Sequence, residues 1–163
     1  MEAALKQKSI DLLATWGGVG KIKKAPGTFG TLAALPLVWI VAQAGPIIYM
    51  ILTVLLTIAA IFIAEFYERA HGGHDSKEVV IDEVIGIMIA MAWLPLTWQS
   101  FVAAFVLFRL LDIVKPPPIR HFDRNVKGGF GVVADDLIAG LITNVVLQIV
   151  FTETLWLGAQ WIK

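Results

Sequence analysis

Two long stretches without a charged side chain limit what this chain can fold into. No Asp, Glu, Lys or Arg occurs at residues 25–64 or 84–108. A soluble amphipathic helix carries charge every few residues, whereas a charge at the centre of a membrane-spanning helix costs about 2.5–3.5 kcal/mol. With 163 residues, 58% hydrophobic and 16% charged, a soluble fold would leave too much apolar surface in water. The sequence therefore predicts an integral membrane protein.

Proline-containing turns divide both apolar runs. A single helix of about 35 residues would be about 50 Å long, which exceeds the roughly 30 Å hydrocarbon core of a bilayer. The first run contains Gly45-Pro46 and the second contains Leu94-Pro95. Because Pro interrupts a helix and Gly permits a turn, each run is predicted to form a helical hairpin. The arm at 84–93 gives only about 15 Å of helix, so we expect it to be re-entrant or packed inside the bundle.

Two hairpins bring the polar segments at 17–31, 67–83 and 112–136 to one side of the membrane. These segments carry many Lys and Arg residues, and the two turns carry none. The positive-inside rule then makes their shared face cytoplasmic. A last apolar segment, from Leu137 to about Leu157, is predicted to cross outward.

The predicted fold class is all-α: a multi-pass helical bundle in the cytoplasmic (inner) membrane, with two helical hairpins, a C-terminal helix and the polar loops on one face. We expect one domain over 1–163, with an N-terminal segment at 1–16, core motifs at 17–140 and a C-terminal helix at 141–163. The formal net charge of zero gives no argument for nucleic acid binding, and no obligate protein partner is evident. The chain contains no Cys, which excludes a cysteinyl-phosphate mechanism.

Two pairs of adjacent acidic residues, Asp82-Glu83 and Asp135-Asp136, each immediately precede an apolar segment. A predicted helix N-terminus at these places makes N-capping the plain interpretation. A second carboxylate adds repulsion, however, and adjacent helical residues point about 100° apart. One residue of each pair could therefore face inward and bind a hard divalent cation such as Mg²⁺. Because the pair occurs twice, we favour a metal site over capping alone.

Other polar residues leave alternatives open. His71 and His74 are a weak zinc signal, and His74 could instead orient a carboxylate or donate a proton. The glycine- and lysine-rich segment 17–31 is not a Walker A loop and suits either a phosphate group or lipid headgroups. Arg109 and Asp112 lie three residues apart on one predicted helical face. They could form a structural ion pair, or Arg109 could bind a phosphate group.

Three stretches together resemble the phosphatidylglycerophosphatase A family. They are KAPGTFGTLAALP at 24–36, HDSKEVVIDEVIG at 74–86 and FRLLDIVKPPPIRHFDRNVKGGFGVVADDLIAG at 108–140. The resemblance covers most of the chain from Gly17 to Gly140. It implies a mostly helical membrane enzyme that uses Mg²⁺ to remove the terminal phosphate of phosphatidylglycerophosphate, a phospholipid substrate in the membrane, and so forms phosphatidylglycerol.

The resemblance also implies roles for particular residues. The family's acidic positions, with one histidine beside them, give the candidate catalytic residues Asp82, Glu83, Asp123, Asp135, Asp136 and His74. The candidate metal ligands are Asp82, Glu83, Asp135 and Asp136. The groups that we expect to bind the substrate phosphate are Lys24, Thr28, Arg109, Lys115 and Arg124.

A non-enzymatic alternative is a small membrane transporter or a lipid-binding scaffold with an acidic ion site. Transporters often show internal repeats and polar residues at the middle of the membrane. Here the acidic residues lie at the ends of apolar segments and no repeat is visible, which favours the enzyme.

Overall fold

The computed structural model describes residues 2–72, 76–121, 126–154 and 156, and the regular elements in these ranges are all helical. A single 3₁₀ turn covers Val19–Lys21. The α-helices are α1 (Glu2–Ala14), α2 (Pro26–Ala42), α3 (Pro46–His71), α4 (Ile81–Ala90), α5 (Trp98–Val114) and α6 (Gly128–Glu153). The predicted all-α bundle is confirmed.

Both predicted breaks in the apolar runs occur. The first hairpin turns between Ala42 and Pro46, where Gly45 has a φ of 93° that other residues rarely adopt. The second turns after α4 and ends where the Thr97 side chain accepts a hydrogen bond from the Ser100 N–H at 3.3 Å, which caps α5. Both chain reversals predicted from the sequence are therefore confirmed.

The outer surface of the bundle is apolar. Helices α3 and α6 have 26 residues each and are long and apolar enough to cross a membrane; each is about 39 Å long. Along α3, Ile47, Ile51, Leu55 and Phe62 are exposed. Contiguous exposed apolar surface of this kind marks a protein that contacts lipid or another apolar partner. The chain is therefore membrane-associated.

The short helix α4 lies at the centre of the bundle and contacts α2, α3, α5 and α6. Its side chains Ile85, Ile87 and Met88 are fully buried. With 10 residues it is about 15 Å long and does not reach across a bilayer. The short arm predicted from the sequence is thus packed inside the bundle.

Side chains of neighbouring helices satisfy the buried C-terminal end of α4. The Tyr49 hydroxyl donates to the Met88 carbonyl at 2.6 Å. The Asn144 side-chain amide donates to the carbonyls of Ala90 at 3.1 Å and Ala92 at 2.8 Å. Terminal carbonyls of a helix have no partner within the helix, so these bonds allow α4 to end inside the protein.

Helices α4 and α6 approach each other at Gly86 and Gly140. A Cβ atom at Gly140 would overlap the Gly86 carbonyl oxygen, and one at Gly86 would overlap the Phe108 ring. Small residues allow two backbones to come this close, as is common in membrane helix pairs. The crossing fixes the position of α6 against the central helix.

The start of α6 corrects one prediction. We expected the last helix to begin at Leu137, with Asp135-Asp136 beside its N-terminus, but α6 begins at Gly128. The reason is tertiary packing: Gly129 lies against the α3 backbone, and its N–H donates to Glu65 Oε2 at 2.5 Å. The two aspartates therefore lie inside the helix, and both are buried.

The α4–α6 crossing predicts a stability effect for Gly140→Ala. The added methyl group would meet the Gly86 backbone, and overpacking of this kind costs about 1–3 kcal/mol. We expect a lower melting temperature in detergent for this variant. Leu141→Ala is the matched control, because Leu141 is an exposed neighbour on the same helix. An unchanged melting temperature for Gly140→Ala would contradict the close crossing.

Candidate active site

A polar cavity of about 530 Å³ lies where the three predicted polar segments meet. The first segment contributes Thr28 to its wall, the second contributes Asp82, and the third contributes Asp135. The start of α2, the end of α5, the start of α4 and the first three turns of α6 surround it. The prediction that the polar loops gather on one face of the bundle is confirmed.

Five carboxylates from three helices converge in this cavity. Asp82 and Glu83 come from the first turn of α4, Asp112 from the last turn of α5, and Asp135 and Asp136 from α6. One oxygen each of Asp82, Glu83 and Asp136 lies within 4.8 Å of the others. The same holds for Asp112, Asp135 and Asp136. We call these five residues the acidic cluster.

Two basic side chains pair with the acidic cluster. Arg109 Nη1 lies 2.6 Å from Asp112 Oδ2 and 3.5 Å from Glu83 Oε1. Lys115 Nζ donates to Asp135 Oδ2 at 2.6 Å. Among the described residues, five carboxylates and these two cations leave three negative charges in surplus when all five acids are ionised. Such a surplus in a cavity of low dielectric constant favours binding of a cation.

Buried oxygen atoms without hydrogen-bond partners test whether a metal ion fits. Within the described residues, Asp136 Oδ1 and Glu83 Oε2 are buried and have no partner. Asp136 as a whole is only 2% exposed. A buried charged acceptor without a partner is costly, and carboxylate oxygens are the ligands that Mg²⁺ and Ca²⁺ prefer. The donor set therefore fits a hard divalent cation.

The cluster also changes the protonation of its members. Burial raises the pKa of the Asp82 carboxyl group well above its usual range, and the adjacent Glu83 carboxylate adds to the rise. Asp82 therefore holds its proton to higher pH than an exposed aspartate does. Ligation of a divalent cation would oppose this effect and release the proton.

Gly27 provides the space for the Glu83–Arg109 pair. It lies in the first turn of α2, and a Cβ atom there would overlap Glu83 Oε1 and lie 3.0 Å from both terminal nitrogens of Arg109. From the sequence we read this glycine as part of a flexible phosphate-binding or headgroup-binding segment. Its role in the structure is to admit the ion pair, a requirement that only the packed arrangement shows.

The other predicted site residues are distributed unevenly. Thr28, Arg109 and Lys115 line the cavity together with the four predicted metal ligands. Lys24 is exposed and is not one of the lining residues, so its phosphate-binding role stays a prediction. The predicted site residues His74, Asp123 and Arg124 lie outside the described residues.

The zinc alternative gains no support from His71. This residue ends α3, where its ring stacks on Tyr67 at a centroid distance of 4.1 Å. Its Nε2 lies 3.9 Å from Asp11 Oδ1, and His71 does not line the acidic cavity. Among the described residues, its surroundings are a stacked ring and one partly exposed acid, which do not form a set of metal ligands.

Asp112 is a cavity residue whose place among the other acids the sequence did not predict. Its spacing from Arg109 predicts only an ion pair or a phosphate-binding arginine beside its acid. The structure adds that Asp112 lies beside Asp135 and Asp136. The available signal was an ionisable residue at the end of an apolar run, a position that often marks function in membrane proteins.

The role of Gly27 predicts that Gly27→Ala disturbs the acidic cluster. The new methyl group would displace Glu83 from Asp82 and Asp136, and loss of such supporting geometry typically lowers metal affinity about 10–100-fold. We expect weaker Mn²⁺ binding by isothermal titration calorimetry, with the helical content unchanged. Leu32→Ala, an exposed position on the same helix, should bind as wild type. Equal affinity for wild type and Gly27→Ala would argue against this role.

Comparison with known proteins identifies the family. The model of the phosphatidylglycerophosphatase A family matches residues 12–151. A Haemophilus influenzae protein named phosphatidylglycerophosphatase A is 39% identical over 150 residues, covering 91% of this chain and 90% of the relative. An Escherichia coli K12 protein of the same name is 39% identical over 140 residues, covering 85% and 81%.

A third relative has a different name. A Bacteroides thetaiotaomicron protein named "Putative phosphatidylinositol-3-phosphatase" is 37% identical over 147 residues, covering 85% of this chain and 91% of the relative. No solved structure matches the chain. The family model spans the acidic cluster, the basic residues beside it and the central helix α4, and with the two relatives of that name it shows that this chain belongs to the phosphatidylglycerophosphatase A family.

Proposed function

We propose that this phosphatase hydrolyses the terminal phosphomonoester of phosphatidylglycerophosphate to phosphatidylglycerol and inorganic phosphate, with Mg²⁺ as its cofactor. The observation that carries the proposal is the acidic cluster. In the described part of the chain it forms a surplus of negative charge with two unpartnered buried oxygens, and it faces a cavity in a protein of this family. A phosphate ester enters so acidic a site only if cations compensate the charge.

Asp82, Glu83, Asp135 and Asp136 are the residues that would hold Mg²⁺. Their oxygens converge, and Glu83 and Asp136 each have a buried oxygen without a hydrogen-bond partner among the described residues. When bound, the ion would neutralise phosphoryl oxygens and act as a Lewis acid.

The basic residues of the cavity would orient the phosphate. Arg109 lines the cavity, and its buried Nε has no hydrogen-bond partner among the described residues, so a small rotation of the guanidinium would present a donor to a phosphoryl oxygen. Lys115 lies at the C-terminal end of α5 with its Nζ already inside the cavity. Both place positive charge where negative charge develops during phosphoryl transfer.

Hydrolysis then requires two proton transfers. A cavity carboxylate accepts a proton from the attacking water as its oxygen bonds to phosphorus. The phosphorus–oxygen bond to glycerol breaks, and an acid protonates the leaving oxygen. Asp123 and His74 remain candidates for these roles. Phosphate monoester hydrolysis needs up to about 10²¹-fold acceleration, and we expect electrostatic positioning to supply most of it.

The position of the cavity suits a lipid substrate. It opens among the polar segments at the ends of the helices, beside the apolar outer surface of the bundle. A headgroup phosphate could enter while the acyl chains stay in the bilayer. The one-sided distribution of Lys and Arg supports a cytoplasmic orientation in the inner membrane.

A second candidate substrate is a phosphoinositide, because of the name of the Bacteroides relative. Both substrates are lipid phosphomonoesters, so the same cation site would serve either. Phosphate release from the two lipids by the same preparation distinguishes the candidates, and a higher kcat/KM for phosphatidylinositol 3-phosphate would replace our assignment.

The proposal predicts metal-dependent phosphate release by the purified protein in detergent. Excess chelator should abolish release from phosphatidylglycerophosphate, and added Mg²⁺ should restore it. Asp136→Asn should lower kcat by at least about 100-fold, because it removes a charge from the centre of the cluster. Asp11→Asn, which changes an acid on α1 outside the cavity, is the control. Full activity in excess chelator would refute the metal requirement.

The proposed phosphate contact predicts a specific defect for Arg109→Lys. Lysine keeps the charge that pairs with Asp112 but loses the planar group that can bind two phosphate oxygens. We therefore expect kcat/KM to fall about 10-fold or more while the melting temperature stays near wild type. If Arg109 only pairs with Asp112, kcat/KM should fall only to the extent that the melting temperature falls. A stable Arg109→Lys variant with wild-type kcat/KM would exclude the phosphate role.

A further inference from the structure

We propose that the acidic cluster holds two divalent cations, with Asp136 shared between them and Asp112 a ligand of the second. This inference rests on the proposed metal-dependent function and deepens it. It concerns the number of ions and a residue, Asp112, that the sequence left outside the metal site.

The geometry divides the cluster into two groups of three carboxylates. One group is Asp82, Glu83 and Asp136, and the other is Asp112, Asp135 and Asp136. Within each group, one oxygen from each residue lies within 4.8 Å of the others. Ligands on opposite sides of an octahedral Mg²⁺ lie about 4.2 Å apart at bond lengths of 2.0–2.1 Å. Each group can therefore contract onto its own ion with small side-chain movements.

Asp136 is the residue that the two groups share. It is 2% exposed, lines the cavity and keeps Oδ1 without a hydrogen-bond partner among the described residues. A carboxylate has two oxygens with about four lone-pair positions, so one side chain can bind an ion on each side. Its burial between α4 and the end of α5 holds it at the centre of the cluster.

The charge of the cluster favours two ions over one. Among the described residues, three of the five carboxylates pair with Arg109 or Lys115, and the five acids and two cations together carry a net charge of −3 when all are ionised. One divalent cation would leave −1, which repels a phosphate dianion. Two would give +1, which attracts it. Lys77 and Lys127 also line the cavity, but they are exposed to solvent, which screens them.

The chemistry of phosphate esters agrees with this count. In phosphatases that use two metal ions, the ions lie about 3.5–4 Å apart and contact both the attacking and the leaving oxygen. A single carboxylate that ligates both ions holds them at such a distance. Arg109 would then position Asp112 through the 2.6 Å contact to its Oδ2.

The test counts ions bound to the purified full-length chain in detergent, with Mn²⁺ as the probe. Equilibrium dialysis gives the number of ions per chain, and low-temperature electron paramagnetic resonance shows whether neighbouring ions are magnetically coupled. We expect two Mn²⁺ per wild-type chain with a coupled spectrum. Asp112→Asn and Asp135→Asn should each bind one ion with an uncoupled spectrum, and Asp11→Asn should match wild type.

Several outcomes would overturn the proposal. A wild-type chain that saturates with one Mn²⁺ excludes the second site, whatever the variants do. Two coupled ions in a folded Asp112→Asn variant remove Asp112 from the site. Size-exclusion chromatography and melting curves show whether each variant is folded. If Asp112→Asn does not fold, Asp135→Asn tests the same group of three carboxylates.

Phosphate release, measured separately, distinguishes this inference from the proposed function. Hydrolysis of phosphatidylglycerophosphate by a chain that binds a single ion would keep the function and reject the two-ion centre. Two coupled ions in a protein that releases phosphate from no lipid would keep the two-ion centre and reject the proposed function.

Discussion

The hydrogen bonds that close the buried end of α4 are the contacts on which the rest of the structure depends. A helix of 10 residues cannot cross a membrane, and no water is available inside an apolar bundle to satisfy its last carbonyls. Tyr49 and Asn144 supply donors to these carbonyls, and Gln148 adds another to Ala92 at 2.9 Å. With its end satisfied, α4 can stop inside the protein, and its first turn carries Asp82 and Glu83 into the cavity.

The same central helix explains why so many charges tolerate burial. Its close crossing with α6 brings Asp136 beside the first turn of α4, and α5 supplies Arg109 and Lys115 as partial compensation. The compensation is incomplete, because buried oxygens of Glu83 and Asp136 have no hydrogen-bond partner in the part of the chain that the structure describes. Stability alone would favour apolar residues at such positions. An incompletely neutralised cluster is instead what binding of cations and a phosphate ester requires, and functional sites commonly depart from the rules that stabilise a fold.

The predictions from sequence succeeded where local chemistry decides structure. Gly45-Pro46 and Leu94-Pro95 mark chain reversals because of their own backbone restrictions. The predicted start of α6 at Leu137 was wrong because glycine has a low helix propensity, so the glycine-rich segment before Asp135 did not indicate a helix. In the structure, the absence of a side chain at Gly128 and Gly129 lets α6 pack on α3, and Glu65 stabilises its first turn. Asp112 was read only against Arg109, since spacing along one helix shows near neighbours and not residues of other helices.

The sequence by itself determined that the chain is a helical membrane protein, that its polar segments share one face, and that two pairs of acids stand at the ends of apolar runs. These features follow from the length of the stretches without charged residues and from the Gly and Pro residues at the turns, whose effect is on the backbone next to them. Only the tertiary structure decided which carboxylates meet, how far Asp136 is buried, and why Gly27 must lack a side chain. These depend on how α2, α4, α5 and α6 pack, and residues brought together from distant parts of the chain leave no periodic signal in sequence.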